Sequence, residues 1–189
     1  MKLTKDYWLE GVKHIPSPHC DERPISTDVS LLVVHNISLP PGQFGNQAIE
    51  QFFTGKLLAS DHPFFAVIAS MRVSAHCLIR RDGEIVQFVP FNMRAWHAGK
   101  SSFAGRDKCN DYSIGIELEG TDFECYSKQQ YASLARVTSS LVNHYPLITR
   151  NRVTGHQYIA PLRKTDPGLV FDWRYFHHIM DELVISMSD

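Results

Sequence analysis

The chain has 189 residues, of which 43% are hydrophobic and 21% charged, and its formal net charge is −1. This length predicts one domain, residues 1–189 with a core at roughly 16–186, and the composition excludes disordered, collagen-like and coiled-coil chains. The charge balance lacks the basic surplus that nucleic-acid binding requires, so we expect no nucleic-acid partner.

The N-terminal segment and the cysteines indicate the compartment. The opening MKLTKDYWLEGVKHIP has lysines at its front but no apolar run behind them, so it lacks the pattern of a secretory signal. No later stretch is long and apolar enough to cross a membrane. The cysteines form no CxxC pair, and a core of this size needs no disulfide frame. We therefore expect a cytoplasmic protein with free thiols and no membrane contact.

The first half of the chain predicts a buried strand, a short helix and a hairpin. Ser30–Ile37 is a continuous apolar run, SLLVVHNI, which is typical of a strand buried on both faces of a sheet. A helical pattern follows near Asn46–Phe53. Asp82 and Gly83 separate two strand-like runs, which predicts a β-hairpin with a type I′ turn. Phe91–Asp111 has the composition of a long loop, and such loops are usually functional or mobile.

The second half predicts another central strand and two amphipathic helices. The strand is Ser113–Gly120, SIGIELEG. Ser127 and Gln130 match a capping box at the start of one helix. Asp172 can cap the last helix, whose apolar residues recur at helical spacing. Because strands and helices mix along the chain, we expect an α/β fold: a single domain with a central mixed β-sheet flanked by helices.

Thr154–Gly168, with the sequence TGHQYIAPLRKTDPG, concentrates reactive side chains in an irregular stretch. Asp166 precedes a proline, which favours an extended backbone. In an extended chain, residues two positions apart point the same way, so Lys164 and Asp166 should face one site. The alternative for this pair is an ordinary ion pair on the surface.

Two histidines and a carboxylate form a candidate metal site. His35 ends the first buried strand, and the loop-facing ends of strands are where α/β sheets place reactive groups. With His156 and Asp166 it makes a two-histidine, one-carboxylate set, which suits Zn²⁺ and leaves a fourth position open. A histidine with a satisfied hydrogen bond in the core is the alternative. Spacing alone does not select these three from ten histidines and four cysteines.

Glu117 lies on the strand predicted at Ser113–Gly120. Alternate residues of a strand share a face, so Glu117 lies on the same side as Glu119 and Gly115, which leaves space beside it. A solvent-facing pair of charges is the alternative. Carboxylates about 7 Å apart match inverting glycosidases, but those enzymes flank the sugar from opposite sides, whereas both glutamates project from one strand. We therefore reject a glycosidase.

Four blocks resemble one enzyme family. They are SLLVVHNISLPPGQFG, RVSAHCLIRRDGEIVQFVPFNMRAWHAGKSSFAGR, CNDYSIGIELEG and TGHQYIAP-x-RKTDPG, and in this order they resemble the zinc-dependent N-acetylmuramoyl-L-alanine amidases. The likeness covers about residues 16–173 and is strongest to the cytosolic members that act on 1,6-anhydro-muropeptides. It implies the fold of peptidoglycan-recognition proteins and phage amidases, a central mixed sheet with helices around it.

The resemblance assigns roles residue by residue. His35, His156 and Asp166 match the ligands of one zinc ion per chain, Glu117 matches the catalytic glutamate, and Lys164 matches the lysine near the reacting carbonyl. Further candidates fall in blocks that line the substrate cleft of the family: Asn36, Arg72, Trp96, His97 and Lys108. Lysine at position 108 replaces an arginine of the pattern, so it keeps the charge but loses bidentate geometry toward stem-peptide carboxylates. His76 and His97 are rival metal ligands.

The resemblance also implies a function. It is hydrolysis of the amide between the lactyl group of (1,6-anhydro)-N-acetylmuramic acid and L-alanine, on small soluble muropeptides, during cell-wall recycling. In relatives this reaction also lowers the muropeptide that induces a chromosomal β-lactamase. We expect a monomer. The alternatives are an exported or phage-type amidase that acts on polymeric peptidoglycan, and a non-catalytic peptidoglycan-recognition module.

Overall fold

A computed structural model describes residues 1–186 of the chain. Within them the strands are β1 (Lys13–His14), β2 (Cys20–Glu22), β3 (Leu31–Ile37), β4 (Cys77–Ile79), β5 (Ile85–Gln87), β6 (Met93–Ala95), β7 (Ser102–Phe103), β8 (Arg106–Asp107), β9 (Ser113–Glu119) and β10 (Val153–Gly155). The α-helices are α1 (Ala48–Phe53), α2 (Pro63–Ile68), α3 (Lys128–His144), α4 (His156–Ile159) and α5 (Trp173–Ser186). The last residues of the predicted domain, 187–189, lie outside the described residues.

Six strands form one mixed sheet in the order β1-β5-β4-β9-β3-β10. The strands β4, β9, β3 and β10 run parallel to one another. β5 pairs antiparallel with β4 and parallel with β1. Separate antiparallel pairs form between β2 and β6 and between β7 and β8. The predicted α/β fold with a central mixed sheet is therefore confirmed.

The central strand β3 is buried on both faces, as its unbroken apolar run predicts. Leu32 and Val34 belong to the core cluster that includes α3 and α5, while Leu31 and Val33 belong to a second cluster on the opposite face. All four side chains are fully buried. A third cluster packs α1 and α2 against β4 and β5. Because side chains alternate along a strand, the face that carries Leu31 and Val33 also carries His35.

The predicted helices are confirmed together with their N-terminal caps. Helix α1 lies within the range predicted from the sequence. The Ser127 hydroxyl accepts the Gln130 N–H (3.0 Å), and the Gln130 side chain accepts the Ser127 N–H (3.1 Å), which completes the capping box of α3. At the start of α5, the Asp172 carboxylate accepts the Tyr175 N–H (2.9 Å).

The hairpin of β4 and β5 is confirmed, but its predicted type I′ turn is wrong. That turn needs a positive φ at both central residues, whereas only Gly83 of the pair has one, at 89°. The Gly83 N–H donates to the Arg80 carbonyl (2.9 Å), and the Arg80 N–H donates to the Glu84 carbonyl (2.9 Å). The loop is therefore a type I turn followed by a left-handed glycine, which spares Asp82 an unfavourable conformation.

Two segments expected to be irregular contain regular structure. The predicted loop Phe91–Asp111 holds β6, β7 and β8, and strands of two or three residues are too short for a hydrophobic pattern to reveal. Thr154–Gly168 begins with the end of β10 and the single-turn helix α4, so only its second half is irregular. The four cysteines are free thiols, as expected.

Candidate active site

Three neighbouring parallel strands bring polar side chains to one edge of the sheet. His35 on β3 pairs directly with Glu117 on β9. On the other side of β3, Gly155 of β10 pairs with Val34, so His156 follows one residue beyond. Because the carboxyl ends of parallel strands meet at one edge, these three side chains gather although they are far apart in sequence.

His35, His156 and Asp166 meet as the sequence predicts. The Nδ1 atoms of the two histidines are 3.0 Å apart, and each lies 3.0 Å from Oδ2 of Asp166. Within residues 1–186 this is the one group of histidine, cysteine and acidic side chains whose ligand atoms converge closely enough to hold a metal ion. Zinc ligands at about 2.0–2.2 Å in a tetrahedron lie about 3.3 Å apart, so the triangle has the size of a zinc site.

The hydrogen bond on the far side of His156 leaves this residue ready to bind a metal. Its Nε2 lies 3.1 Å from the Ala98 carbonyl oxygen, which can only accept, so Nε2 carries the ring proton. In a neutral imidazole Nδ1 then keeps its lone pair, and Nδ1 is the atom that faces His35 and Asp166. The donor set, two imidazole nitrogens and one carboxylate oxygen, therefore fits Zn²⁺.

The surroundings of the two kinds of ligand keep each in the protonation state that a metal requires. Desolvation by burial lowers the pKa of His35 to about 4, despite the neighbouring carboxylate, so the ring is neutral near pH 7. Burial alone would raise the pKa of Asp166, but the interactions of its carboxylate with His156 and His35 lower it below its ordinary value. A neutral imidazole and an ionised carboxylate are the forms that bind metals.

Glu117 is a buried carboxyl group that lacks a hydrogen-bond partner within residues 1–186 at one of its two oxygens. Its side chain lines a cavity that His35, His156 and Asp166 also line, and its Oε2 oxygen has no hydrogen-bond partner among the described residues. Burial and the charge of Asp166 raise the pKa of Glu117 well above its ordinary value, while the charge of Lys164 opposes the shift. A carboxyl group with a raised pKa, beside a cluster of metal-type ligands, has the properties of a general acid or base.

A cavity of about 730 Å³ opens over these groups. Lys164 and Asp166 both line it, which agrees with the prediction that they face one site. Asn36 and Trp96 also line it. The Asn36 side-chain amide donates to Asp122 (2.8 Å), and the Trp96 indole N–H donates to the carboxylate of Asp21 (3.0 Å). The role of Asn36 and Trp96 in binding substrate stays a prediction.

Two of the five predicted substrate-binding residues, Arg72 and Lys108, lie outside the lining of this cavity, whereas His97 is part of it. Arg72 is exposed between Met71 and Val73, both of which line it. Lys108 is exposed, adopts a left-handed backbone (φ 58°) and lines a neighbouring cavity of about 550 Å³. Arg163 lines both cavities. The substrate contacts of Arg72 and Lys108 stay predictions.

His76 and His97, the rival metal ligands, lie outside the cluster formed by His35, His156 and Asp166. The Nδ1 atom of His76 accepts the Gly115 N–H (3.0 Å), and its Nε2 lies 3.1 Å from the Met93 carbonyl, so both nitrogens serve the backbone. His97, which was expected to bind substrate, is partly buried and places Nδ1 2.9 Å from Nε2 of His35. It contacts the side of His35 that faces away from the cluster.

The sequence patterns missed two hydrogen bonds that hold segments next to the cavity in place. Tyr126 donates its hydroxyl proton to the Pro167 carbonyl (2.7 Å), which connects the segment before α3 to the segment after Asp166. Arg163 donates to the Ala98 carbonyl (2.7 Å), the same oxygen that orients His156. Arg163 lies within a conspicuous block and could have been considered, whereas no local pattern pairs a tyrosine with a distant carbonyl.

No helix within residues 1–186 combines the length and the apolar character that a membrane span requires.

The chain is similar to proteins of known activity along most of its length. The sequence profile of a family described as N-acetylmuramoyl-L-alanine amidase matches residues 25–169. The 1,6-anhydro-N-acetylmuramyl-L-alanine amidase AmpD of Citrobacter freundii is 59% identical over 178 residues, which cover 94% of this chain and 95% of the relative. The enzyme with the same description from Escherichia coli K12 is 58% identical over 180 residues (95% and 98%). A crystal structure of a selenomethionine AmpD derivative superposes with a TM-score of 0.92 at 59% identity, and covers 95% of this chain and 99% of that one.

Proposed function

Because this chain belongs to the N-acetylmuramoyl-L-alanine amidase family, we propose that it hydrolyses the amide between the lactyl group of 1,6-anhydro-N-acetylmuramic acid and L-alanine in muropeptides of cell-wall recycling. Curated relatives described as 1,6-anhydro-N-acetylmuramyl-L-alanine amidases match it over nearly their whole length. The observation that carries the proposal is the convergence of His35, His156 and Asp166 beside Glu117 in one cavity.

The proposal includes one zinc ion per chain, held by His35, His156 and Asp166. What supports it is the triangle of ligand atoms with sides of 3.0 Å and the free lone pair on Nδ1 of His156. When bound, zinc acts as a Lewis acid that polarises a carbonyl and activates water near neutral pH.

Glu117 and Lys164 supply the proton transfer and the charge stabilisation. The unpartnered Oε2 of Glu117 accepts a proton from the attacking water and delivers it to the alanine nitrogen when the C–N bond breaks. The ammonium group of Lys164, a residue that lines the same cavity, stabilises the oxyanion that develops on the carbonyl oxygen. The first proton of the water makes the leaving nitrogen a neutral amine. The second proton, left on the new lactyl carboxyl group, then passes to that amine through Glu117, so the products are a carboxylate and an ammonium group and the protons balance.

The cavity fits a small glycopeptide. Its volume of about 730 Å³ lies within the range of small-molecule sites, about 300–1,000 Å³. Apolar side chains such as Phe64, Met71 and Trp96 line it together with the polar groups at its floor, so a sugar ring and a peptide both find matching surfaces. Asn36, Arg72, Trp96 and Lys108 are the residues that we expect to contact the sugar and stem peptide.

A paired measurement of metal and activity tests the function. Zinc is quantified in the purified protein, and release of the L-alanine-headed peptide from anhydro-muropeptide is followed with and without a chelator. We expect one zinc per chain and release that stops when zinc is removed and returns when it is restored. Metal without release would support a recognition module, and equal rates on intact sacculi would support a polymer-directed amidase. Undiminished release from metal-free protein would refute the zinc site.

Three expectations from the sequence stay predictions: a cytoplasmic location, a monomeric state and an effect on β-lactamase induction. Cell fractionation, light scattering of the purified protein and β-lactamase assays in a deletion strain test them in turn. None of the residue roles proposed above depends on their outcome, because each role follows from groups within one chain.

A further inference from the structure

His97 occupies a special place behind the metal-type cluster. Its Nδ1 lies 2.9 Å from Nε2 of His35, and its own Nε2 lies 3.1 Å from the hydroxyl oxygen of Ser113. We propose that His97 is a positioning residue, which accepts a hydrogen bond from Nε2–H of His35 and so keeps the lone pair of His35 Nδ1 free for the metal. This inference rests on the proposed zinc site.

The proton positions in the chain of hydrogen bonds from His35 through His97 to Ser113 follow from the requirement that each bond has one donor and one acceptor. A neutral imidazole has one N–H donor and one lone-pair acceptor. If Nδ1 of His35 binds a metal, its ring proton lies on Nε2 and must find an acceptor, and Nδ1 of His97 is the atom in reach. The proton of His97 then lies on Nε2, where the Ser113 hydroxyl oxygen accepts it. All three groups stay neutral, and every hydrogen bond has one donor and one acceptor.

Gly115 leaves the space that the His97 ring occupies, and any side chain at position 115 would collide with that ring. A Cβ atom on Gly115 would lie 2.4 Å from Cγ and 2.5 Å from Nδ1 of His97, far inside van der Waals contact. Gly115 pairs with Val33, two residues before the pairing of His35 with Glu117. The space that the sequence predicts beside Glu117 is therefore filled, and the group that fills it is the partner of His35.

One short segment orients both metal-binding histidines. The side chain of His97 contacts His35, and the carbonyl of the next residue, Ala98, accepts the proton on Nε2 of His156. Asn110 fixes this segment, since its side-chain oxygen accepts the N–H groups of His97 (3.2 Å) and Ala98 (2.8 Å). Two adjacent residues thus orient the two rings, one through a side chain and one through the backbone.

The test compares zinc affinity, measured by competition with a chelating dye, in His97→Leu and His97→Asn. Leucine removes the acceptor, and loss of such a partner commonly weakens metal binding by about 10–100-fold. The amide oxygen of asparagine can take the place of Nδ1, so this variant should bind zinc much more tightly than His97→Leu. His178→Leu, at a histidine on α5 that contacts Glu182, is the matched control and should leave zinc affinity unchanged.

A second readout does not depend on zinc or activity. In metal-free protein, the ¹⁵N shifts of His35 report which ring nitrogen carries the proton, and His97→Leu should move that proton from Nε2 toward Nδ1. If His97→Leu does not fold, Ser113→Ala replaces it, and a smaller loss of zinc affinity is expected. Wild-type zinc affinity in the folded leucine or alanine variant would overturn the role of His97. Failure of the wild type itself to bind zinc would instead refute the proposed function.

Discussion

The substitution Glu117→Gln separates proton transfer from metal binding. Glutamine keeps the shape of the side chain but cannot accept the proton of the attacking water. General acid–base catalysis contributes about 10²–10⁴-fold, so kcat should fall by that factor, which corresponds to about 2.7–5.4 kcal/mol of barrier. Glu117 is not among the converging ligand atoms, so the zinc content should stay at one per chain. Peptide release from anhydro-muropeptide, measured by chromatography, gives the rate, and elemental analysis gives the metal.

The free energy of unfolding of the same variant is the control, because it distinguishes a catalytic role of Glu117 from a structural one. Because Oε2 of Glu117 has no hydrogen-bond partner among residues 1–186, the substitution breaks no hydrogen bond at that oxygen. Burial disfavours the charged form of Glu117, and the neutral amide of glutamine carries no such penalty. The free energy of unfolding should therefore equal or exceed that of the wild type. A variant that retains wild-type kcat, or that loses activity only together with zinc or stability, would refute the assignment of Glu117 as the base.

Three further substitutions address the metal, the oxyanion and the scaffold. Asp166→Asn removes the anionic ligand and should leave less than one zinc per chain after dialysis against a chelator; full retention, measured by elemental analysis, would contradict the ligand set. Lys164→Met should lower kcat by about 10²–10³-fold with zinc retained, and an unchanged kcat would place Lys164 outside the reaction. Ser127→Ala removes the cap of α3 and should cost about 1 kcal/mol of unfolding free energy, measured by urea denaturation, with kcat unchanged.

The elements that the sequence predicts well are those specified by local physics. The unbroken apolar run of β3 is typical of a doubly buried strand, and the capping box of α3 requires no more than Ser127 and Gln130. The turn after β4 was less predictable, because Asp82 and Gly83 suit both a type I′ turn and a type I turn with a left-handed glycine. Strand order was not predictable from local patterns, since the two strands that flank β3 in the sheet, β9 and β10, both lie far from it along the chain.

The candidate site divides in the same way. Its ligand types could be named from the residues, but their convergence depends on the pairing of β3 with β9 and β10, which no local pattern reveals. The family resemblance supplied that information, because it summarises chains with the same pairing. It did not supply the position of His97: a resemblance by blocks identifies residues near a cleft without telling a substrate contact from a residue that orients His35.

Glu117 and Glu119 show why burial and charge alone do not identify a functional carboxylate. Both lie on β9, on the same face, and both are buried (9% and 1% exposed). Glu119 accepts the N–H groups of Gly45 (2.7 Å) and Arg81 (3.2 Å), and its Oε1 lies 3.4 Å from the guanidinium of Arg80. Glu117 leaves one oxygen unpartnered among the described residues and directs its carboxylate into the cavity. The carboxylate of Glu119 is stabilised by its surroundings, whereas that of Glu117 keeps a free acceptor for a proton. That difference assigns the chemistry to Glu117.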